Sequence, residues 1–252
     1  MLKTRIVPTL LMKGVGLVKG VGFDSWRRVG AALQSIRVYN LREVDELILL
    51  DIAATPGGGA PNFREIDDLA DNCFMPMTVG GGVKTLEDIR ELLAVGADKV
   101  AINSAAVATP ELIRAGSAEF GAQCIVVSID VRRHADGRAE VVTECGRTLT
   151  GRNPVEWAKM AAGLGAGEIL LTSVERDGAM VGYDVDLVRD VSAAVDVPVI
   201  ASGGCGNYGH MADVLGGTRA SAVAAASIFH FTEQTPREAK RYLASHGFPV
   251  RL

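Results

Sequence analysis

Several common features are missing from this 252-residue chain. No two of its four cysteines, Cys73, Cys124, Cys145 and Cys205, stand in a CxxC pair. That removes the usual zinc and redox spacings and leaves reduced thiols as the expectation. No apolar run reaches the roughly 20 residues of a membrane helix, and "SAVAAASIF" is too short to span and fits a buried strand. No long basic run accompanies the net charge of −4, which argues against a nucleic-acid surface. An acidic chain can still hold phosphates locally through backbone N–H groups. The histidines, His134, His210, His230 and His246, show no metal spacing and are assigned to loops or surface. No secretory h-region opens the chain. The expectation is a cytoplasmic protein with no metal and no cofactor.

What is present is periodic. Hydrophobic residues make up 48% and charged residues 22%, enough for a sizeable core and against wholesale disorder. Short apolar or β-branched runs fall near 5–11, 46–51, 76–80, 98–103, 124–130, 168–172, 197–202 and 221–226. Helix-like stretches separate them. In "TLEDIRELLAVG", for example, Leu86, Ile89, Leu92 and Leu93 share one face. Eight buried strands alternating with helices predict an α/β chain, a single (β/α)₈ TIM barrel over residues 1–252, with a doubly wound sheet as the alternative.

The halves echo each other. "MPMTVGGGVKTLEDIRELL" is matched by "VPVIASGGCGNYGHMADVL", which sets Gly81 on Gly203 and Gly82 on Gly204. "KVAINSAAV" is matched by "AVAAASIFH", and "RIVPTLL" by "CIVVSID". An internal half-barrel duplication follows, with two related anion sites expected at opposite sides of one mouth. The candidates are Gly82, Asn103 and Ser104 in the first half and Gly203, Gly204, Ala226 and Ser227 in the second. Glycine lets a phosphate approach the backbone closely, although the same glycines could serve plain turns. Two clusters in register favour a bis-phosphate or a long two-ended anion. In "TSVERDGAMVGYD", Asp177 and Gly178 form either a turn beside that ligand or an ordinary DG turn.

Cys124, Val126, Ser128 and Asp130 share one strand face. If that face points inward, Asp130 sits at the mouth and can move a proton. The bland alternative has it cap a loop or pair with Lys19 or Arg132. Asp51 is a weaker candidate. Opposite Asp130 in the repeat stands Leu11, which has no titratable atom, while Lys19 is near enough in sequence to reach the mouth. At the other end Arg5, Glu46, Lys99 and Glu168 each open a strand. They read as a salt-bridged plug or as a gate to an axial passage. "VRRHADGRAEV" and the following "TECGRTLTGRNP" read as an excursion over the mouth, a candidate lid.

The stretches "LVKG", "VDELILLDI", "TVGGGVKTLEDIRELLAVGADKVAINSAAV", "GAGEILLTSVERDGAMVGYD", "PVIASGGCG" and "LASHGFPVRL" together resemble, over essentially the whole chain, the cyclase subunit of imidazole glycerol phosphate synthase (HisF). That resemblance implies a barrel enzyme of the lyase class, joined as a heterodimer to a HisH-like glutaminase docked on its floor. Ammonia then crosses the barrel to a phosphorylated substrate at the mouth. It assigns the two glycine clusters, with Asp177 and Gly178, to phosphate binding. It makes Arg5, Glu46, Lys99 and Glu168 the ammonia gate and puts Asp98 at the glutaminase interface. The chain departs from the family at Leu11, where the cyclases carry an Asp. "PTLLMKG", "IRVYNLREVDEL" and "NCFMPMTVGGG" are similar to the divergent WbuZ branch, associated with sugar amidation in surface-glycan synthesis alongside a third, ligase-like enzyme.

Overall fold

A computed structural model describes residues 3–14 and 16–252. Eight strands form the barrel: β1 (Arg5–Met12), β2 (Leu47–Asp51), β3 (Met77–Gly80), β4 (Lys99–Ile102), β5 (Ile125–Arg133), β6 (Glu168–Ser173), β7 (Val199–Ser202) and β8 (Ala222–Ala225). Each pairs in parallel with its chain neighbours, and β8 returns to pair with β1 through Arg5–Ala222 to Pro8–Ala225. The sheet is closed, which settles the barrel over the doubly wound alternative.

Closure follows from the strand pattern. Successive side chains point to opposite faces, so each apolar run feeds two layers. Ile6, Leu10, Leu49, Val127 and Leu171 pack outward against the helices, in the larger of two buried clusters. Val7, Ile48, Ala101, Val126, Leu170, Ile200, Ala222 and Ala224 form the other, inside the lumen. Several helices start where the sequence offers an oxygen acceptor. Thr85 and Asp88 form a reciprocal capping box ahead of Leu86–Ala94, Thr235 and Glu238 another ahead of Pro236–Ser245. Asn153 caps Pro154–Gly163, with proline at the first helical position.

Two excursions rise over the C-terminal ends of the strands, from matching places in the two halves. Leu17–Val21 and Asp24–Gly30 form an antiparallel hairpin laid on the end of β1, where Leu11 pairs with Val18. Ala139–Thr143 lies antiparallel to the end of β5, where Asp130 pairs with Val142, and is followed by the short strand Thr148–Leu149. This second pairing carries β5 three residues past the expected end at Asp130. Two histidine assignments are corrected. His210 lies in the helix Tyr208–Gly217, accepting from Gly206 N–H (3.1 Å), and His230 lies in the helix Ser227–Phe231, its imidazole held neutral chiefly by burial, with Lys19 adding to it.

The last helix is tied to the barrel floor by a buried cation. Lys240 Nζ donates to Asp45 Oδ1 and to the Glu43 carbonyl, both at 2.7 Å, while Asp45 Oδ2 accepts from Ile6 N–H at 2.9 Å. Removing one partner of such a pair strands the other. Lys240→Met is therefore expected to cost about 3–5 kcal/mol, read as a lowered urea midpoint with unchanged slope.

Candidate functional site

All eleven residues expected at the mouth line one pocket between the two excursions. Gly81 and Gly203 hold its rim. Their φ angles are +103° and +85°, and an added Cβ would stand 2.1 Å from the Asp51 carbonyl oxygen and 2.6 Å from that of Ser173. Only glycine permits both the left-handed backbone and that approach of neighbouring strand ends.

Asp130 lines the pocket, directly opposite Thr172 in the β5–β6 pairing. Its Oδ2 accepts from Asn103 Nδ2 at 3.0 Å. Neither cation considered for it in the sequence is its partner. Lys19 Nζ donates to Asp177 Oδ2 at 2.5 Å, and Arg132 reaches Glu175 at 3.5 Å. Burial, with the charge of Asp177 added, pushes the Asp130 carboxyl up to about 7, against the stabilising bonds from Asn103 and Thr172. A carboxyl balanced there can both take up and return a proton at neutral pH. Asp51 is otherwise engaged: its Oδ1 accepts from Ala53 and Ala54 N–H at 2.8 and 3.2 Å, capping the loop after β2.

Lys19 is brought into the mouth by the first hairpin, which is seated by a second contact, Gly22 N–H to the Asp177 carbonyl at 2.8 Å. Leu11 is buried at the end of β1, on the pocket wall across the duplication from Asp130. Around the first glycine cluster, Gly82 N–H donates to Thr55 Oγ1 (3.1 Å), and Ser104 Oγ donates to Asn103 Oδ1 (3.2 Å) and accepts from Glu144 N–H (3.1 Å). At the second cluster, Ser227 Oγ is buried with no hydrogen-bond partner among the described residues.

At the opposite end the four expected charges do meet. Arg5 Nη1 donates to Glu46 Oε1 at 2.9 Å and Arg5 Nη2 to Glu168. Lys99 Nζ reaches both acids at 3.0 Å. Each cation bridges both carboxylates, so the ring is charge-balanced and each acid is met from two sides. Asp98 is exposed beside this ring, its Oδ2 accepting from Met77 N–H at 2.8 Å.

Several lining groups escaped the sequence reading, among them Thr9, Thr55 and Cys145. Thr9 lies one inward step below Leu11, its buried hydroxyl without a partner among the described residues; strand parity alone could have shown it. Thr55 comes from the glycine-rich loop after β2, where no periodicity marks it. Cys145 comes from the second excursion, its thiol donating to the Ile52 carbonyl at 3.2 Å and pushed up to about 11 by burial and then by the charge of Asp130. Among the described residues no cluster of three or more metal-ligating side chains occurs, and no helix is long and apolar enough to cross a membrane.

The raised Asp130 carboxyl has a measurable sign. Its proton is retained to about pH 7 in the folded chain, but lost near the ordinary Asp value of about 3.9 in the unfolded one. Stability is therefore lost as pH rises through that window. Asp130→Asn removes the loss. Its melting temperature is expected to match that of the unchanged protein at pH 4 and to exceed it at pH 8, by about 2–4 °C for each kcal/mol lost, in a calorimetric pH series.

A family comparison covers the stretch of chain that builds this barrel. The model of the histidine biosynthesis protein family matches residues 5–235, from the first ring residue to the start of the last helix. The chain belongs to that family of barrel enzymes.

Proposed function

We propose that this chain is the synthase-side subunit of a glutamine amidotransferase, fed with ammonia at the floor and delivering it at Asp130. The observation that carries this reading is the balanced ring of Arg5, Glu46, Lys99 and Glu168 beneath an apolar lumen whose far end is the Asp130 pocket. On this reading the lumen passes neutral ammonia and rejects ammonium, because an unpaired charge is costly away from water. Of the eight buried lumen residues, three are alanine, the smallest side chain that still excludes polar atoms. At the rim of the floor, exposed Phe74 and Leu252 line a groove with Arg42, Arg237 and Arg251, a mixed apolar and cationic surface suited to a HisH-like glutaminase. When ammonia attacks an electrophilic carbon of the acceptor, the carbon–oxygen π pair moves onto oxygen and the nitrogen gains positive charge as its bond forms. The Asp130 carboxylate takes the released proton.

The acceptor is proposed to be a sugar of surface-glycan synthesis, completed with a third, ligase-like enzyme. Leu11 supports this over histidine-pathway cyclisation, since a positioned acid contributes about 10²–10⁴-fold and the first half of the barrel lacks one. Lys19 does not replace it, being held by Asp177.

Two measurements test the reading. With ammonium and the histidine-pathway substrate, the unchanged protein is expected to turn over at least about 10²-fold more slowly than Leu11→Asp. A rate near that of an ordinary cyclase would instead make this chain a histidine-pathway cyclase using Asp130 alone. Mixed with a HisH-like glutaminase, it is expected to elute as a one-to-one complex and raise glutamine hydrolysis. Co-elution without any ammonia incorporation into an acceptor would leave only an activating scaffold, and no complex at all removes the amidotransferase reading.

A further inference from the structure

The large apolar side chains left in water are not spread evenly. Leu41, Phe74 and Leu252 are 78%, 84% and 81% exposed, and no other among the described residues exceeds 63%. Phe74 and Leu252 line one groove of about 830 Å³ at the rim of the floor, and Leu41 stands between two more of its lining residues, Asn40 and Arg42. Scattered exposed residues need no explanation, but a gathered set marks a surface that another molecule covers. The exposure is built in. Phe74 N–H donates to Asn40 Oδ1 at 3.1 Å, and Asn40 Nδ2 donates to the Asn72 carbonyl at 2.7 Å. The turn before β3 is thereby pinned to the end of the helix Ala32–Leu41 with the Phe74 ring outside the core.

The charge of the groove is unbalanced. Its two acidic side chains, Glu43 and Asp45, are each taken by a cation. Arg237 Nη2 donates to Glu43 Oε2 at 3.3 Å, and Lys240 Nζ to Asp45 Oδ1 at 2.7 Å. The other lining cations, Arg42, Arg241 and Arg251, form no ion pair among the described residues. Three unpaired guanidinium groups therefore gather beside exposed hydrocarbon in a chain of net charge −4. A guanidinium fork fits a carboxylate with two parallel bonds, and arginine beside an aromatic ring is typical of protein interfaces. The groove also adjoins the charged ring. Asp45 directly precedes Glu46, and its Oδ2 accepts from the N–H of Ile6, the residue after Arg5.

We infer that this groove docks a segment of a partner protein that carries acidic side chains around an apolar anchor, the acids meeting Arg42, Arg241 and Arg251 and the anchor packing on Phe74. The charge of that segment then selects which glutaminase the chain accepts. Naming the partner as a glutaminase rests on the amidotransferase reading; the acidic and apolar character of the segment does not.

Two experiments on the full chain separate those two claims. The first titrates it with the blocked peptides EEWLEE and KKWLKK and follows backbone amide signals by NMR. EEWLEE is expected to shift Asn40, Phe74 and Arg251, to bind about tenfold or more tightly than KKWLKK in about 0.02 M salt, and to lose most of that advantage in about 0.5 M salt. Equal binding, preference for KKWLKK, or no shift at the groove would overturn the inference. The second measures association with a HisH-like glutaminase. Arg42→Glu combined with Arg251→Glu is expected to slow association about tenfold or more at low salt, and Phe74→Ser to hasten dissociation about tenfold. Lys159→Glu, on the outer helix Pro154–Gly163, is expected to change neither rate beyond about twofold. Unchanged melting temperatures check that the variants fold. A complex indifferent to the groove variants overturns the inference and leaves the amidotransferase reading standing. Selective binding of EEWLEE without any glutaminase complex supports the groove chemistry and removes the amidotransferase reading.

Discussion

Four charges that water cannot reach freely must satisfy one another at the lower end of this barrel, and much of the architecture follows from that. Arg5, Lys99 and Glu168 open β1, β4 and β6 and Glu46 stands immediately before β2, so half of the strands are tied into one ring. Any single member left alone would carry a desolvation cost of several kcal/mol. The register of these strands is therefore tied together at the floor, and with it the height of every inward residue above. Val7, Ala101, Val126 and Leu170 come next and are dry. Only above them do Thr9, Ser128, Asp130 and Thr172 restore polar character. The carboxyl of Asp130 is pushed up because it sits at the top of an apolar column.

The barrel was legible in the sequence because its signal is local. Each strand is a short β-branched run, each helix has a regular apolar face, and Thr85 or Asn153 announces where a helix begins. Parity along a strand also carried the charged ring and placed Asp130 inward. What could not be read was partner choice. Lys19 sits close in sequence to Leu11, yet it bonds to Asp177, 158 residues away, because the hairpin folds over the far side of the mouth. His230 lacks metal spacing and so reads as surface, yet the helix that carries it packs against the barrel.

The same limit applies to Ser104 and Ser227, the one pair that sequence comparison treats as interchangeable. Their difference is made by Glu144, whose N–H comes from an excursion 40 residues further on. Its backbone is left-handed, at φ +54°, and no local propensity forecasts that. A repeat unit fixes where a side chain stands; the loops that differ between the halves decide which bonds it can still make. The two excursions leave matching strands in matching registers, Leu11 with Val18 and Asp130 with Val142, but they bring different groups to the rim.

Leu11 and Asp130 face one pocket from related positions, one inert and the other able to exchange a proton. A fully twofold mouth would accept a small guest either way round, with the reacting atom meeting an acid in both poses. Here the two poses are chemically unequal. The barrel has acquired handedness along the line joining its halves, and a molecule lodged backwards would rest against hydrocarbon and leave unchanged.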